Sequence, residues 1–379
     1  MTLTTPSKII YVNQTQIDHP QIQSLLQDFS QHDWKNFKQS RIFDTGTQSL
    51  YTRFGKNTLP FRNDIIKKPN FVIPEYQPSF NKSFDEVTDQ RCLDLRANYF
   101  DKPWRVFWSG GIDSTTIVTS ILKNLSVEDL KNIKIVCNRI SIYENPRFFY
   151  QHILPNFEII DSSIIDTPAD MLQDNYLIDG ELADQLFAGG ISQSMLLDSV
   201  DLAEKDLSDT GLLVDYIARS TGKECAEWYV NVTLENINSV SIPVQTYHDF
   251  FWWTFFNFSW VSVKMRTMQH QSVKSCKDYI EQYLHWFDHD QYQLWAMSAN
   301  QRGLKYDQHP GDYKIAAKEY IYSFNKDQYY RYFKTKSHSD SRFVDRDTSW
   351  FCMLDDYTRL SLDHDLEQIL HLLPDHVEQ

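Results

Sequence analysis

Basic charge is in deficit in this chain. Lysine and arginine number 37 against 51 aspartates and glutamates, for a formal net charge of −14. A general duplex nucleic-acid binder needs a basic face, so this balance argues against a nucleic-acid partner. Cysteine is sparse too. The five residues (Cys92, Cys137, Cys225, Cys276, Cys352) are scattered, with no C-x-x-C pair. That pattern excludes a disulfide scaffold and fits reduced, mostly buried thiols in a cytoplasmic protein. Long apolar runs are missing. The most apolar stretch, Phe250 to Trp260, is broken by Thr254 and Asn257, whereas a membrane span needs about 20 apolar residues. It reads as a buried aromatic helix, and no membrane partner is expected. Met1 to Gln14 has no basic start followed by an apolar core, so no signal peptide is expected. Glycine, finally, is scarce, at eleven residues. Five of those eleven fall in two short segments, Gly110–Gly111 and Gly180, Gly189, Gly190. In a glycine-poor chain such clustering marks backbone that must turn tightly or approach a ligand.

What is present points to an enzyme-sized globular chain. Its 379 residues exceed one compact domain. Hydrophobic residues are 41% and charged residues 23%, ordinary soluble usage. Residues 1–80 read as a small N-terminal module or arm, with proline-rich pieces. Residues 81–340 carry the main pattern. Residues 341–379 read as a C-terminal helical tail, in which Leu360 to Leu373 is amphipathic and acidic. The spacing predicts a helix from Ser83 to Asn98 and strands at Trp104–Trp108, Ile133–Cys137, Phe157–Ile160 and Tyr176–Asp179. Helices are predicted at Thr115–Leu125, at Phe148–Leu154 and from Leu182 to Phe187. After about residue 195 the chain reads as mostly helical, with few strand signals. The fold class is therefore α/β: a parallel sheet flanked by helices, with a largely helical C-terminal part.

Between the first strand and its helix stands Ser109-Gly110-Gly111-Ile112-Asp113-Ser114. Successive backbone N–H groups at such a turn form an anion-binding nest, and the helix N-terminus adds positive partial charge. The two glycines admit a polyphosphate without a Cβ clash. Ser109 and Ser114 can donate hydroxyl hydrogen bonds, and Asp113 can hold a Mg²⁺ that bridges phosphate oxygens. The segment lacks the Gly-Lys-Ser/Thr ending of a Walker A loop. It resembles the S-G-G-x-D-S loop of the PP-loop ATP pyrophosphatase superfamily, the adenine nucleotide alpha hydrolase-like fold. That resemblance implies cleavage of ATP between its α and β phosphates and activation of a substrate as its adenylate.

About seventy residues later a strand again ends in glycine and acidic residues: Asp179-Gly180-Glu181-Leu182-Ala183-Asp184-Gln185-Leu186-Phe187-Ala188-Gly189-Gly190. Ligands of α/β sheets sit at the carboxyl ends of strands, so Asp113 and Asp184 are expected to converge on one Mg²⁺. This segment resembles the G-E-G-x-D-E-L-F-G-G-Y signature of asparagine synthetases and their β-lactam-forming and lasso-peptide-cyclising relatives. It departs from that signature at Leu182 and Ala188, where the signature has glycine, and at Gln185, where it has glutamate. No tyrosine follows Gly190. The resemblance implies ATP and Mg²⁺ as cofactors, with Asp113 and Asp184 as metal aspartates. The same resemblance implies that Ser109, Gly110, Gly111, Asp113, Ser114 and Gly180 bind nucleotide and that Glu181 helps deprotonate the attacking amine.

The family also carries a late basic loop whose lysine neutralises charge on the α-phosphate. Arg331, Lys334 and Lys336 lie in a comparable position, and Lys334 and Lys336 are the catalytic candidates. The lysine-bearing segment Tyr313 to Tyr322 and Trp286-Phe287-Asp288 also resemble later parts of the family's domain. Glutamine-dependent asparagine synthetases expose an N-terminal cysteine, whereas position 2 here is Thr and the first cysteine is Cys92. Nitrogen drawn from glutamine in cis is therefore not expected. The partners are a small-molecule or peptide carboxylate and an amine, and a homo-oligomer is compatible with the sequence. The alternatives are a PP-loop enzyme acting on nucleobases or tRNA and a catalytically silent nucleotide-binding subunit. His285 and His289, at i and i+4, read either as a zinc pair on a helix or as part of a plain surface helix.

Overall fold

The computed structural model describes residues 53, 73–162, 174–188, 195, 196, 198–260, 263, 264, 281–298 and 314–334, with the backbone of 349–351 and 359–361. Its centre is a five-stranded sheet, β1 (Trp104–Phe107), β2 (Ile133–Cys137), β3 (Glu158–Asp161), β4 (Tyr176–Asp179) and β5 (Tyr283–His285). All neighbours are parallel, in the order β3-β2-β1-β4-β5. Register pairs Val106 with Ile135 on one side and with Ile178 on the other. Tyr176, Leu177, Ile178 and Asp179 of β4 are all buried, as expected of a parallel strand covered on both faces. The chain is thus α/β, with strand boundaries within one residue of the predicted four.

β5 was not predicted. It is three residues long and sits inside an aromatic, helix-rich stretch, so neither period nor length marks it. Its presence also corrects the histidine pair. His285 ends a strand, and His289 is the residue preceding the next helix. The two do not share a helix face, and His285 is buried, so both the zinc pair and the surface helix fall.

Helices cover the sheet. α1 (Phe84–Asn98) starts at a capping box: the Ser83 hydroxyl accepts the Glu86 N–H, and the Glu86 carboxylate accepts the Ser83 N–H. α2 (Ile112–Asn124) buries Ile117, Val118 and Ile121, and α3 (Arg139–Glu144) follows β2. α4 (Ala183–Phe187) follows β4, and the hairpin α5 (Thr210–Thr221) and α6 (Lys223–Ile237) comes next. α7 (Tyr247–Trp253) runs on into a wider turn of helix, Thr254–Ser259. α8 (Asp290–Met297), α9 (Ile315–Asn325) and α10 (Gln328–Phe333) close the set. Phe84 of α1 joins the layers, its ring within 5.4 Å of Phe187 and 5.1 Å of Trp295, centroid to centroid.

Phe250, Phe251, Trp252, Trp253, Phe256 and Trp260 are buried, so this block is core and offers no base-stacking surface. Among the described residues no helix is long and apolar enough to cross a membrane. Cys92 and Cys137 are free and buried. Burial pushes their thiols up, to about 12 and about 11. Of the segment predicted as a surface helix, residues 360 and 361 lie instead in a strand (359–361) paired antiparallel with 349–351. The remainder, 362–373, lies outside the described residues.

Candidate active site

The strand order reverses direction between β1 and β4. Successive connections run outward from β1 to β2 and β3, then return to β4 on the other side. In such sheets the crevice outside the carboxyl ends of the two diverging strands is the ligand site. Both sequence motifs start there.

The Ser109–Ser114 turn is shaped from within. Gly110 is left-handed, with φ +76°, and a Cβ on it would come within 2.5 Å of the Glu144 Cβ. Only glycine fits both conditions. The Ser114 hydroxyl accepts the Ser109 N–H at 3.1 Å, and the Ser109 hydroxyl accepts the Gly111 N–H at 3.3 Å. The two serines therefore hold the turn together. Gly111 caps α2 and contributes no side-chain hydrogen bond, unlike Ser83 on α1, Asn138 on α3 or Thr246 on α7. The first N–H groups of α2 thus lack a side-chain acceptor, which suits an incoming anion. From the far side the Tyr330 hydroxyl of α10 donates to the Gly110 carbonyl at 3.2 Å.

The second turn packs directly on the first. A Cβ on Gly180 would lie 3.2 Å from the Asp113 Cβ and 3.3 Å from the Ser114 nitrogen. Beyond it, Leu182 and Ala188 flank α4 with φ of 73° and 70°. These are two positions where the asparagine-synthetase signature has glycine. The left-handed backbone is present at both without the residue that favours it.

Asp113, in the first turn of α2, and Asp184, in the first turn of α4, face a shared cation. Lys314 places its Nζ 2.5 and 2.6 Å from the two Asp113 oxygens and 2.7 Å from Asp184 Oδ1. Lys314 is only 3% exposed, whereas the Asp184 side chain is 54% exposed, so the pair opens to solvent on the Asp184 side. Burial pushes the Asp113 carboxyl up to about 6, against the downward pull of Lys314 and with Asp184 adding to the rise. Burial lowers the Lys314 ammonium, but Asp113 and Asp184 outweigh it and hold it above the ordinary lysine value. Near neutral pH the Asp113 carboxylate and the Lys314 ammonium are both ionised.

Two carboxylates that meet one cation suit Mg²⁺, which binds through one or two carboxylates plus phosphate oxygens and water. Among the described residues no three His, Cys, Asp or Glu side chains gather as a metal site. A site completed by phosphates needs only the two. The residues present therefore fit the group.

Beneath the second turn lies a polar network that sequence reasoning missed. The buried Asp179 carboxylate accepts the Glu181 N–H at 3.1 Å, and the same oxygen is 2.8 Å from His285 Nδ1. His285 Nε2 lies 3.2 Å from the Lys264 carbonyl. Both ring nitrogens face acceptors, which calls for a doubly protonated imidazolium. Burial lowers the His285 pKa, but the Asp179 carboxylate, its hydrogen bond and Asp288 more than reverse this and raise it. Asp288 in turn pairs with Lys264. The backbone of Glu181 is thereby anchored, and its side chain is half-buried beside the aspartates.

Of the late basic residues, Lys334 and Arg331 lie among the described residues. Lys334 is buried and pairs with the buried Glu144 carboxylate, which packs next to Gly110. Arg331 pairs with Glu319 at 2.5 Å. Lys336, Gly189 and Gly190 lie outside the described residues. The lysine that reaches Asp113 and Asp184 is Lys314, which no motif had singled out. It lies in the lysine-bearing segment Tyr313 to Tyr322, but Lys318 one turn later is equally buried, and nothing in the spacing separates the two.

No protein-family model, curated protein or solved structure matches this chain. The functional reading therefore stands on its residues and their geometry.

Proposed function

We propose that the chain is an ATP-dependent, AMP-forming amide synthetase of the PP-loop type. It adenylates a substrate carboxylate and passes the acyl group to ammonia or another amine. The observation that carries the reading is the meeting of Asp113 and Asp184 on one cation, beside the open start of α2.

Mg²⁺–ATP, when bound, supplies an electrophilic α-phosphorus and a pyrophosphate leaving group. Asp113 and Asp184 are the residues to hold the metal. The Ser109–Ser114 turn and the first N–H groups of α2 receive the pyrophosphate. Tyr330 and the Lys334–Glu144 pair fix that turn from behind. A carboxylate oxygen of the substrate attacks the α-phosphorus and pyrophosphate leaves. The amine nitrogen then attacks the acyl carbon and AMP leaves, with Glu181 accepting the amine proton. Holding both reactants in one crevice supplies much of the acceleration in such chemistry. The buried thiols of Cys92 and Cys137 suit a reducing cytoplasm.

The test is product analysis. The protein is incubated with Mg²⁺–ATP, ammonium and a panel of carboxylic acids that includes amino acids and peptides. AMP and pyrophosphate that appear only with a particular acid, and not with Asp113→Ala, support the reading and identify the acyl substrate. ADP as the product sinks it.

A further inference from the structure

Lys314 occupies a costly position. Its backbone is left-handed, φ 56° and ψ 40°, a conformation that disfavours every residue but glycine. It also stands at the N-terminus of α9, where a cation opposes the helix dipole. The side chain is buried. Three contacts hold it there: 2.5 and 2.6 Å to the Asp113 oxygens and 2.7 Å to Asp184 Oδ1.

Those oxygens are the ones a divalent metal needs. An ammonium and a metal ion that share the same carboxylate oxygens repel each other strongly at such distances. A metal ion entering alone must therefore displace a buried lysine from the Asp113 and Asp184 carboxylates. A polyphosphate changes that balance, because its oxygens offer the ammonium new partners and bring negative charge for the metal.

We propose that Lys314 is a built-in counter-ion that closes the Asp113–Asp184 pair to divalent cations until a polyphosphate arrives. Metal and nucleotide then bind together, and metal does not bind first. The proposal rests on the reading of this crevice as a metal–nucleotide site, and it adds an order of binding to that reading.

Mn²⁺ is the probe, titrated into the full-length protein and followed by the electron paramagnetic resonance of the free ion. Wild type is measured alone and with α,β-methylene-ATP, which resists cleavage between the α and β phosphates, against a control of Mn²⁺ and analogue without protein. Lys314→Met is measured in parallel, after a thermal melt confirms that it folds. Nucleotide-free Lys314→Met is expected to bind Mn²⁺ at least about tenfold more tightly than nucleotide-free wild type, a difference of about 1.4 kcal/mol. The added analogue is expected to remove most of that gap. Asp184→Asn in the Lys314→Met background is expected to abolish the gain, which locates it. Wild type that binds Mn²⁺ as tightly without the analogue as with it overturns the proposal, needs no variant to show it, and leaves the synthetase reading intact. A folded Lys314→Met that gains nothing also overturns it. No binding by either protein, even with the analogue, overturns the proposal together with the metal–nucleotide reading beneath it.

Discussion

The two strand-to-helix turns of the crevice solve the same backbone problem in different ways. The turn after β1 puts glycine at its left-handed position, Gly110. The turn after β4 puts Leu182 at its left-handed position, and Ala188, at the far end of α4, is left-handed as well. In the first, the shape is favoured locally and is also enforced by Glu144, which leaves no room for a Cβ. In the second, the local preference runs against the shape, and packing must supply it: Leu182 is 1% exposed and Ala188 0%. Strain of this kind persists only where the surroundings over-determine it, which is common at functional sites. Left-handed backbone can therefore be held at residues other than glycine where burial and packing supply the conformation.

The largest effect is expected at the first turn. Gly110→Ala adds a left-handed penalty and an overpacking penalty against Glu144, together about 3 kcal/mol. Denaturant unfolding checks it, and an unchanged midpoint would show that the first turn is as tolerant as the second. Next comes the support of the second turn. His285→Gln removes a charged hydrogen bond to Asp179, at a cost of about 2 kcal/mol near pH 6. The folded-state pKa of His285 is raised. Its contribution is thus full below the unfolded value of about 6.5 and is lost as the pH rises through the folded value. The stability gap between wild type and His285→Gln should therefore narrow from pH 6 upward. A gap that widens with pH would mean that His285 is neutral in the fold. The smallest effect is at Ala188. Ala188→Gly relieves roughly 1–2 kcal/mol of backbone strain and gives up the burial of one methyl group, about 0.8 kcal/mol. A net gain below about 1 kcal/mol is expected in the same unfolding experiment. A loss would mean that the backbone at the far end of α4 is not strained at Ala188.

The same contrast explains what could be read from the sequence. β1, β2 and β4 were legible because compact apolar runs such as Ile133–Cys137 end in turn residues. Asp113, Gly180 and Asp184 were legible because each sits a fixed few residues past a strand, and strand ends share one edge of a parallel sheet. β5 was hidden because Tyr283, Leu284 and His285 carry no alternation and all three are buried. Lys314 was hidden for a different reason. It meets Asp113 from 201 positions further along the chain, so its placement is a product of tertiary packing of α9 against α2. The His285–Asp179 pair, 106 positions apart, depends on β5 lying beside β4 in the same way. Local motifs showed which strand ends gather, and the cations that meet them came from elsewhere in the fold.

The central claim is that the two turns serve one site. The most direct measurement is a double-mutant cycle on acid-dependent AMP formation, with Asp113→Asn, Asp184→Asn and both together. If the two carboxylates act as a unit on one cation, each single variant should lose about a hundredfold or more, and the double variant about as much as either single. Losses that multiply in the double variant, or a single variant with wild-type turnover, would contradict the account.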